Sequence, residues 1–127
     1  MKHNEVSATI IDVAMRIHRE LGPGLLESVY QKVMAHELRK RGLHVEEQVP
    51  MPVEWDGERM EVGFRADLVV EGKVIVELKS VEGVTPVFKK ILLTYLRVAD
   101  KRLGLLINFN EALLKDGITR IVNRFEE

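Results

Sequence analysis

Apolar positions between Val6 and Leu21 recur every three or four residues, through Ile10, Val13, Ala14 and Ile17, the spacing of one buried helix face. Asn4 stands where an N-terminal cap is needed, so the pattern predicts a helix over residues 6–21. Gly22, Pro23 and Gly24 interrupt it. A second helical pattern covers residues 26–41, with Val29, Tyr30, Val33 and Leu38 inward and Gly42 closing the turn. Beyond Gly42 the chain becomes extended over residues 45–55, 59–70 and 74–80, separated by turns at Asp56-Gly57 and around Glu71-Gly72, which predicts a three-strand meander. Pro50 and Pro52 cannot donate ladder hydrogen bonds and place the first of these strands at a sheet edge. Pro86 opens a helix over residues 86–99, with Phe88, Ile91, Leu92, Tyr95 and Leu96 on its buried face. A buried strand follows over 103–109, then a helical turn at 111–115 and a last strand over 118–125.

This order predicts an α/β fold with a mixed sheet flanked by helices, not a doubly wound one, and no glycine-rich phosphate loop follows any strand. The 127 residues suit a single domain, 1–127. With 19 basic against 20 acidic residues, the net charge of −1 names no partner; only a local segregation of Lys and Arg would favour nucleic acid. The absence of cysteine removes disulfides, thiolate metal sites and a thiol nucleophile, leaving oxygen and imidazole as metal ligands. Asp12, Arg16 and Arg19 break the apolar run that a signal peptide needs, and no stretch is long enough to span a bilayer; a soluble cytoplasmic protein is expected.

The chemistry concentrates in residues 64–80, FRADLVVEGKVIVELKS. Two-residue periodicity puts Ile75, Glu77 and Lys79 on one strand face, and Val74, Val76 and Leu78 on the other. A carboxylate and an ammonium on a strand that otherwise reads as buried need compensation, either from each other or from a ligand. A two-residue turn at Glu71-Gly72 would set Asp67 opposite Val76, on the wrong face. A three-residue loop of Val70, Glu71 and Gly72 would set it opposite Ile75 and diagonal to Glu77. The functional reading requires the second. Glu27, in the first turn of the second helix, is favoured there by the helix dipole whether or not it has another role. Together, Glu27, Asp67 and Glu77 would suit a hard cation, Mg²⁺ or Mn²⁺, with Lys79 beside it to orient water or stabilise developing charge.

Residues 24–30, Gly-Leu-Leu-Glu-Ser-Val-Tyr, resemble the GxxExxY signature of a small bacterial and archaeal family, and Asp67, Glu77 and Lys79 resemble the PD-(D/E)xK core motif. The likeness runs from the Leu21-Gly22-Pro23-Gly24 turn through residues 104–109. It implies a restriction-endonuclease-like αβββαβ core, here with an extra N-terminal helix, and a metal-dependent nuclease activity. The chain departs from related members at two positions: Ile91 stands where a glutamine usually precedes Tyr95 by four residues, and Phe88 stands where a histidine is common.

The expected function is therefore Mg²⁺-dependent phosphodiester hydrolysis of DNA, with RNA less favoured. Glu27, Asp67, Glu77 and Lys79 are the expected catalytic residues, the three carboxylates being the metal ligands. Tyr95 is expected at the margin of the site, with Lys90 and Arg97, and also Lys89, placed to contact phosphates. The rival reading, motivated by Ile91 and Phe88, is a nuclease-derived module that binds or assembles without turnover. A homodimer or partner subunit suits a chain of this size. His3, His18, His36 and His44 show no metal-ligand spacing, Tyr30 is expected to pack, and Trp55 could either cover an apolar edge or stack on a base.

Overall fold

The computed structural model describes residues 1–126. In chain order the elements are α1 (His3–Leu21), α2 (Glu27–Lys40), β1 (Val45–Trp55), β2 (Glu58–Val70), β3 (Val74–Lys79), α3 (Pro86–Ala99), β4 (Leu103–Asn108), a short 3₁₀ turn (Leu114–Gly117) and β5 (Ile118–Val122). The five strands form one mixed sheet in sequence order. Strands β1, β2 and β3 make an antiparallel meander, β3 and β4 run parallel, and β5 returns antiparallel to β4. Parallel neighbours need a crossover, and α3 supplies it. This is the α/β architecture expected of a restriction-endonuclease-like core.

The alternation along β3 divides the core. Val74, Val76 and Leu78 pack with Leu68, Leu105 and Ile107 under α1 and α2. Ile75 packs with Ala66, Val69 and Leu106 under Leu92 and Leu96 of α3. Gly104 lets α3 approach β4 closely: a Cβ there would stand 3.0 Å from a methyl of Leu92. Pro86 occupies the start of α3, where its missing N–H costs nothing.

Several boundaries differ from the sequence pattern, each for a local reason. Helix α1 begins a turn earlier than expected. The Glu5 carboxylate reaches back to the Lys2 N–H (3.4 Å), while Asn4 accepts from Arg120 of β5 (2.8 Å) and does not cap. Val29 and Ile91, expected inward, are 38% and 39% exposed; Gln31, Met34 and Ala35 take the inner face of α2 with Tyr30 and Leu38. The helical turn is 3₁₀ and lies at 114–117. The last strand ends at Val122, where the Asn123 N–H still bonds to Arg102 O across the register (2.9 Å) and its side chain donates to Lys101 O (3.0 Å).

Candidate active site

Register determines which side chains meet at the end of the meander. Glu71 and Gly72 both adopt positive φ (56° and 63°), and the Lys73 N–H closes the turn on Val70 O at 3.0 Å. The ladder resumes only at Val70↔Val74, continuing through Val69↔Ile75 to Leu68↔Val76, so Lys73 is an extra residue in the connection. Neither register considered from the sequence occurs. The connecting residues are Glu71, Gly72 and Lys73, and the continuation of the ladder brings Asp67 opposite Glu77 itself.

There the ladder gives way to side chains. The Asp67 N–H donates to Glu77 Oε1 (3.3 Å), and the Leu78 N–H donates to Asp67 Oδ2 (2.8 Å). Glu77 is buried, at 8% exposure, while Asp67 is half-buried. Burial is the main cause that pushes the Glu77 carboxyl up to about 8; the neighbouring Asp67 carboxylate adds to it, against weaker lowering by the Asp67 N–H and by Lys79. Two acidic oxygens thus face one another in a poorly solvated corner, where both cannot comfortably be ionised without a cation.

Lys79 shares the face of Glu77 but forms no ion pair with it among the described residues. Its ammonium lies over the Phe88 ring, 4.9 Å from the centroid, so the phenylalanine at this position holds the cation through its π face. Mutual pairing of Glu77 and Lys79 is therefore not what compensates their burial. Tyr95 stacks on Phe64 with ring centroids 3.8 Å apart. Its hydroxyl is held in the protonated form, first by burial and then by the carboxylates of Glu77 and Asp67, and so remains a donor. A cavity of about 90 Å³ is enclosed by Glu77, Lys79, Phe88, Ile91 and Tyr95 over Leu92 and Leu106.

Glu27 sits directly after the Leu26 cap of α2 and accepts from the Ser80 N–H at 3.3 Å, one residue beyond Lys79. The Ser80 hydroxyl donates to Leu25 O (2.7 Å), joining the end of β3 to the loop before α2. That loop is shaped by Tyr30. Fully buried and stacked on Phe109 (4.2 Å), it donates its hydroxyl to Gly22 O (2.6 Å) and accepts from the Leu25 N–H (3.2 Å). Gly24, at φ 100°, turns the chain between them. The spacing of Gly24, Glu27 and Tyr30 thus has a physical basis: a glycine turn, an acid in the first helical turn, and a hydroxyl pinning the loop that precedes it. A wider cleft of about 690 Å³, lined by residues 24–28, Ser80 and Asn110, opens beside Glu27. Lys79 lines the cavity and Ser80 the cleft, so the two spaces flank one step of backbone.

Among the described residues no group of three histidine or acidic side chains is gathered as a metal site. The structure joins Asp67 and Glu77 and leaves Glu27 tethered to Ser80. The donor set nonetheless suits Mg²⁺, which takes one or two carboxylates and keeps several waters. Lys90 and Arg97 are exposed on α3, seven residues apart on one side of the helix, with the Thr94 hydroxyl donating to Lys90 O between them (3.1 Å).

Three polar residues at the site escaped the sequence reading. Gln48 of β1 donates to Asp67 Oδ1 (3.2 Å) and to Gln31 Oε1 (2.6 Å). Gln31 follows Glu27 by four residues on α2, a spacing that signals a shared face. Asn108, fully buried, accepts from the Val81 N–H (3.1 Å), donates to Val81 O (3.0 Å) and to Glu111 Oε1 (3.1 Å), and so clamps the segment leaving Lys79. Its signal was a lone amide in an apolar strand.

The family model described as PD-(D/E)XK nuclease superfamily matches residues 4–121. The chain belongs to that superfamily and is a nuclease-like module. No curated protein and no solved structure gives a significant match. No helix among the described residues is long and apolar enough to cross a membrane.

Proposed function

We propose that this protein is a Mg²⁺- or Mn²⁺-dependent phosphodiesterase acting on DNA, with RNA the less favoured substrate. The observation that carries the reading is the meeting of Asp67 with the buried Glu77 at the end of the β2–β3 ladder, beside Lys79, which among the described residues forms an ion pair with neither and lies over Phe88. Asp67 and Glu77 hold the cation, and Glu27, anchored next to Lys79, is the third oxygen donor in this proposal. The cation supplies Lewis-acid charge at the phosphate and makes water more acidic. Lys79 orients the attacking water or stabilises the negative charge that develops on the phosphate oxygens. The Tyr95 hydroxyl remains a donor at the margin of the site. Lys90 and Arg97 contact flanking phosphates from the exposed side of α3. Water attacks phosphorus directly and no covalent enzyme intermediate forms. The resemblance of residues 24–30 to the GxxExxY signature supports membership of that family, with the protein working as one domain in the cytoplasm, as a homodimer or with a partner subunit.

The test is cleavage of labelled single- and double-stranded DNA and RNA with Mg²⁺ or Mn²⁺ by the wild type and by Asp67→Ala and Lys79→Ala. Metal-dependent cleavage lost in both variants is expected; cleavage that persists in Asp67→Ala would refute the assignment. A second reading is supported by Ile91, 39% exposed at the cavity where a glutamine is usual, and by Phe88 beneath Lys79. On that reading the site binds without turnover, and a folded wild type that takes up metal and nucleic acid but cleaves none of the substrates is the outcome that selects it.

A further inference from the structure

Resting on that reading, we infer that Gln48 is a positioning residue that fixes the Asp67 carboxylate for cation binding, and that it acts through a relay running back to α2 by way of Gln31. Gln48 lies inside β1 yet adopts φ 49°, a left-handed conformation that is unfavourable for a non-glycine residue. The ladder pairs Glu47 with Leu68 and Val49 with Ala66, leaving Gln48 opposite Asp67 as the unpaired step between them. Leu68 packs under α1 and α2, whereas Ala66, two residues away, packs under α3. The strand therefore changes faces at Asp67, across from the strained glutamine. Such strain persists only where the surroundings hold it in place.

What holds it is a chain of amides whose direction is set from outside. Lys32 and Arg39 both pair with Glu47 at 3.1 Å. An ionised Glu47 can only accept, so the Gln31 side chain must present its NH₂ to it (3.2 Å) and its oxygen to Gln48. Gln48 must then present its own NH₂ toward Gln31, and the second hydrogen of that group falls on Asp67 Oδ1. Gln31 is 8% exposed, so the relay is not free to turn over. The Leu78 N–H holds the other oxygen of Asp67. Two donors, one on each oxygen, fix the plane of the carboxylate and leave its remaining lone pairs directed. The carboxamide that touches the acidic pair thus comes from β1, whereas position 91 of α3 offers only an isoleucine side chain. Loss of such an outer-shell partner typically weakens metal binding about 10–100-fold.

Gln48→Asn separates positioning from folding. Asparagine suits left-handed backbone better than glutamine, but one methylene less breaks the bridge to Gln31 and Asp67. Calorimetric Mn²⁺ titration and urea unfolding of wild type, Gln48→Asn, Gln31→Leu and the double variant give the test. The expected result is unchanged or raised stability in Gln48→Asn with Mn²⁺ affinity weakened about tenfold or more. The double variant should bind no more weakly than the weaker single, as one relay requires. Equal affinity in wild type and Gln48→Asn, or a loss of affinity matched by a loss of stability, overturns the inference while the nuclease reading stands. A wild type that takes up no Mn²⁺ overturns that reading and the inference with it.

Discussion

Asp67 and Glu77 join β2 to β3 through their side chains, one step beyond the last paired residues of the ladder: Glu77 accepts the Asp67 N–H at 3.3 Å and Asp67 accepts the Leu78 N–H at 2.8 Å. The two bonds tie both acids to the sheet where burial and the Asp67 charge raise the Glu77 carboxyl. A backbone that holds two carboxylates in place is preorganised for a cation, because the repulsion has already been built into the fold.

That conflict has a pH signature. Glu77 is raised to about 8 in the folded protein from an ordinary value near 4.5. Below 4.5 both states carry the proton and the favourable contribution of the protonated folded form is complete. From there through about 8 the folded state binds more protons than the unfolded one, so the metal-free protein loses stability as pH rises, on the order of a few kcal/mol in total. Urea unfolding across pH 4–9 should show this decline in the metal-free wild type and a flatter profile in Glu77→Gln. Mn²⁺ should oppose the decline at its alkaline end. The midpoint belongs to the Asp67–Glu77 pair and not to Glu77 alone.

Asn108→Leu should cost about 1–2 kcal/mol in urea unfolding, because it removes the side-chain partner of the half-buried Val81 N–H and carbonyl. Amide hydrogen exchange at Val81 should accelerate more than exchange in α1, showing that the clamp acts on the segment that follows Lys79.

Lys90→Ala and Arg97→Ala remove exposed charges from α3 and should leave stability within about 0.5 kcal/mol of the wild type. Each should weaken DNA binding similarly for all sequences and reduce the slope of log affinity against log salt by about one. Fluorescence anisotropy over a range of salt concentrations measures both.

Ile91→Gln introduces a carboxamide at the cavity edge, at a position 39% exposed, where the loss of apolar burial is small. Cleavage by this variant should match or exceed that of the wild type, with the gain in kcat. A severalfold fall in kcat with unchanged unfolding would show that the cavity needs its apolar rim.

The order of the elements was legible because each carried its own signal. Three- and four-residue spacing marked α1, α2 and α3, Pro86 marked the start of α3, and Asp56-Gly57 marked the β1–β2 turn. Alternation along β3 correctly separated Ile75 from Val74, Val76 and Leu78. Register was not legible, since it depended on Lys73 being carried as an extra residue outside the ladder, and no residue type announces that. The same limit applies to Gln48. Glutamine is an unusual choice for positive φ, and only the opposing Asp67 and the buried Gln31 explain its conformation. Glu27 was placed correctly in the first turn of α2, but its bond to Ser80 depends on how the helix docks on the sheet, a long-range matter that local spacing does not encode.

The central claim is that Asp67 and Glu77 form one cation site. Its most direct test is calorimetric titration of Mn²⁺ into metal-free wild type, Asp67→Ala and Glu77→Ala, with each protein first confirmed folded by circular dichroism. Saturable binding in the wild type that vanishes in both variants is the predicted result. Binding that survives unchanged in either variant, or its absence from the wild type, would contradict it.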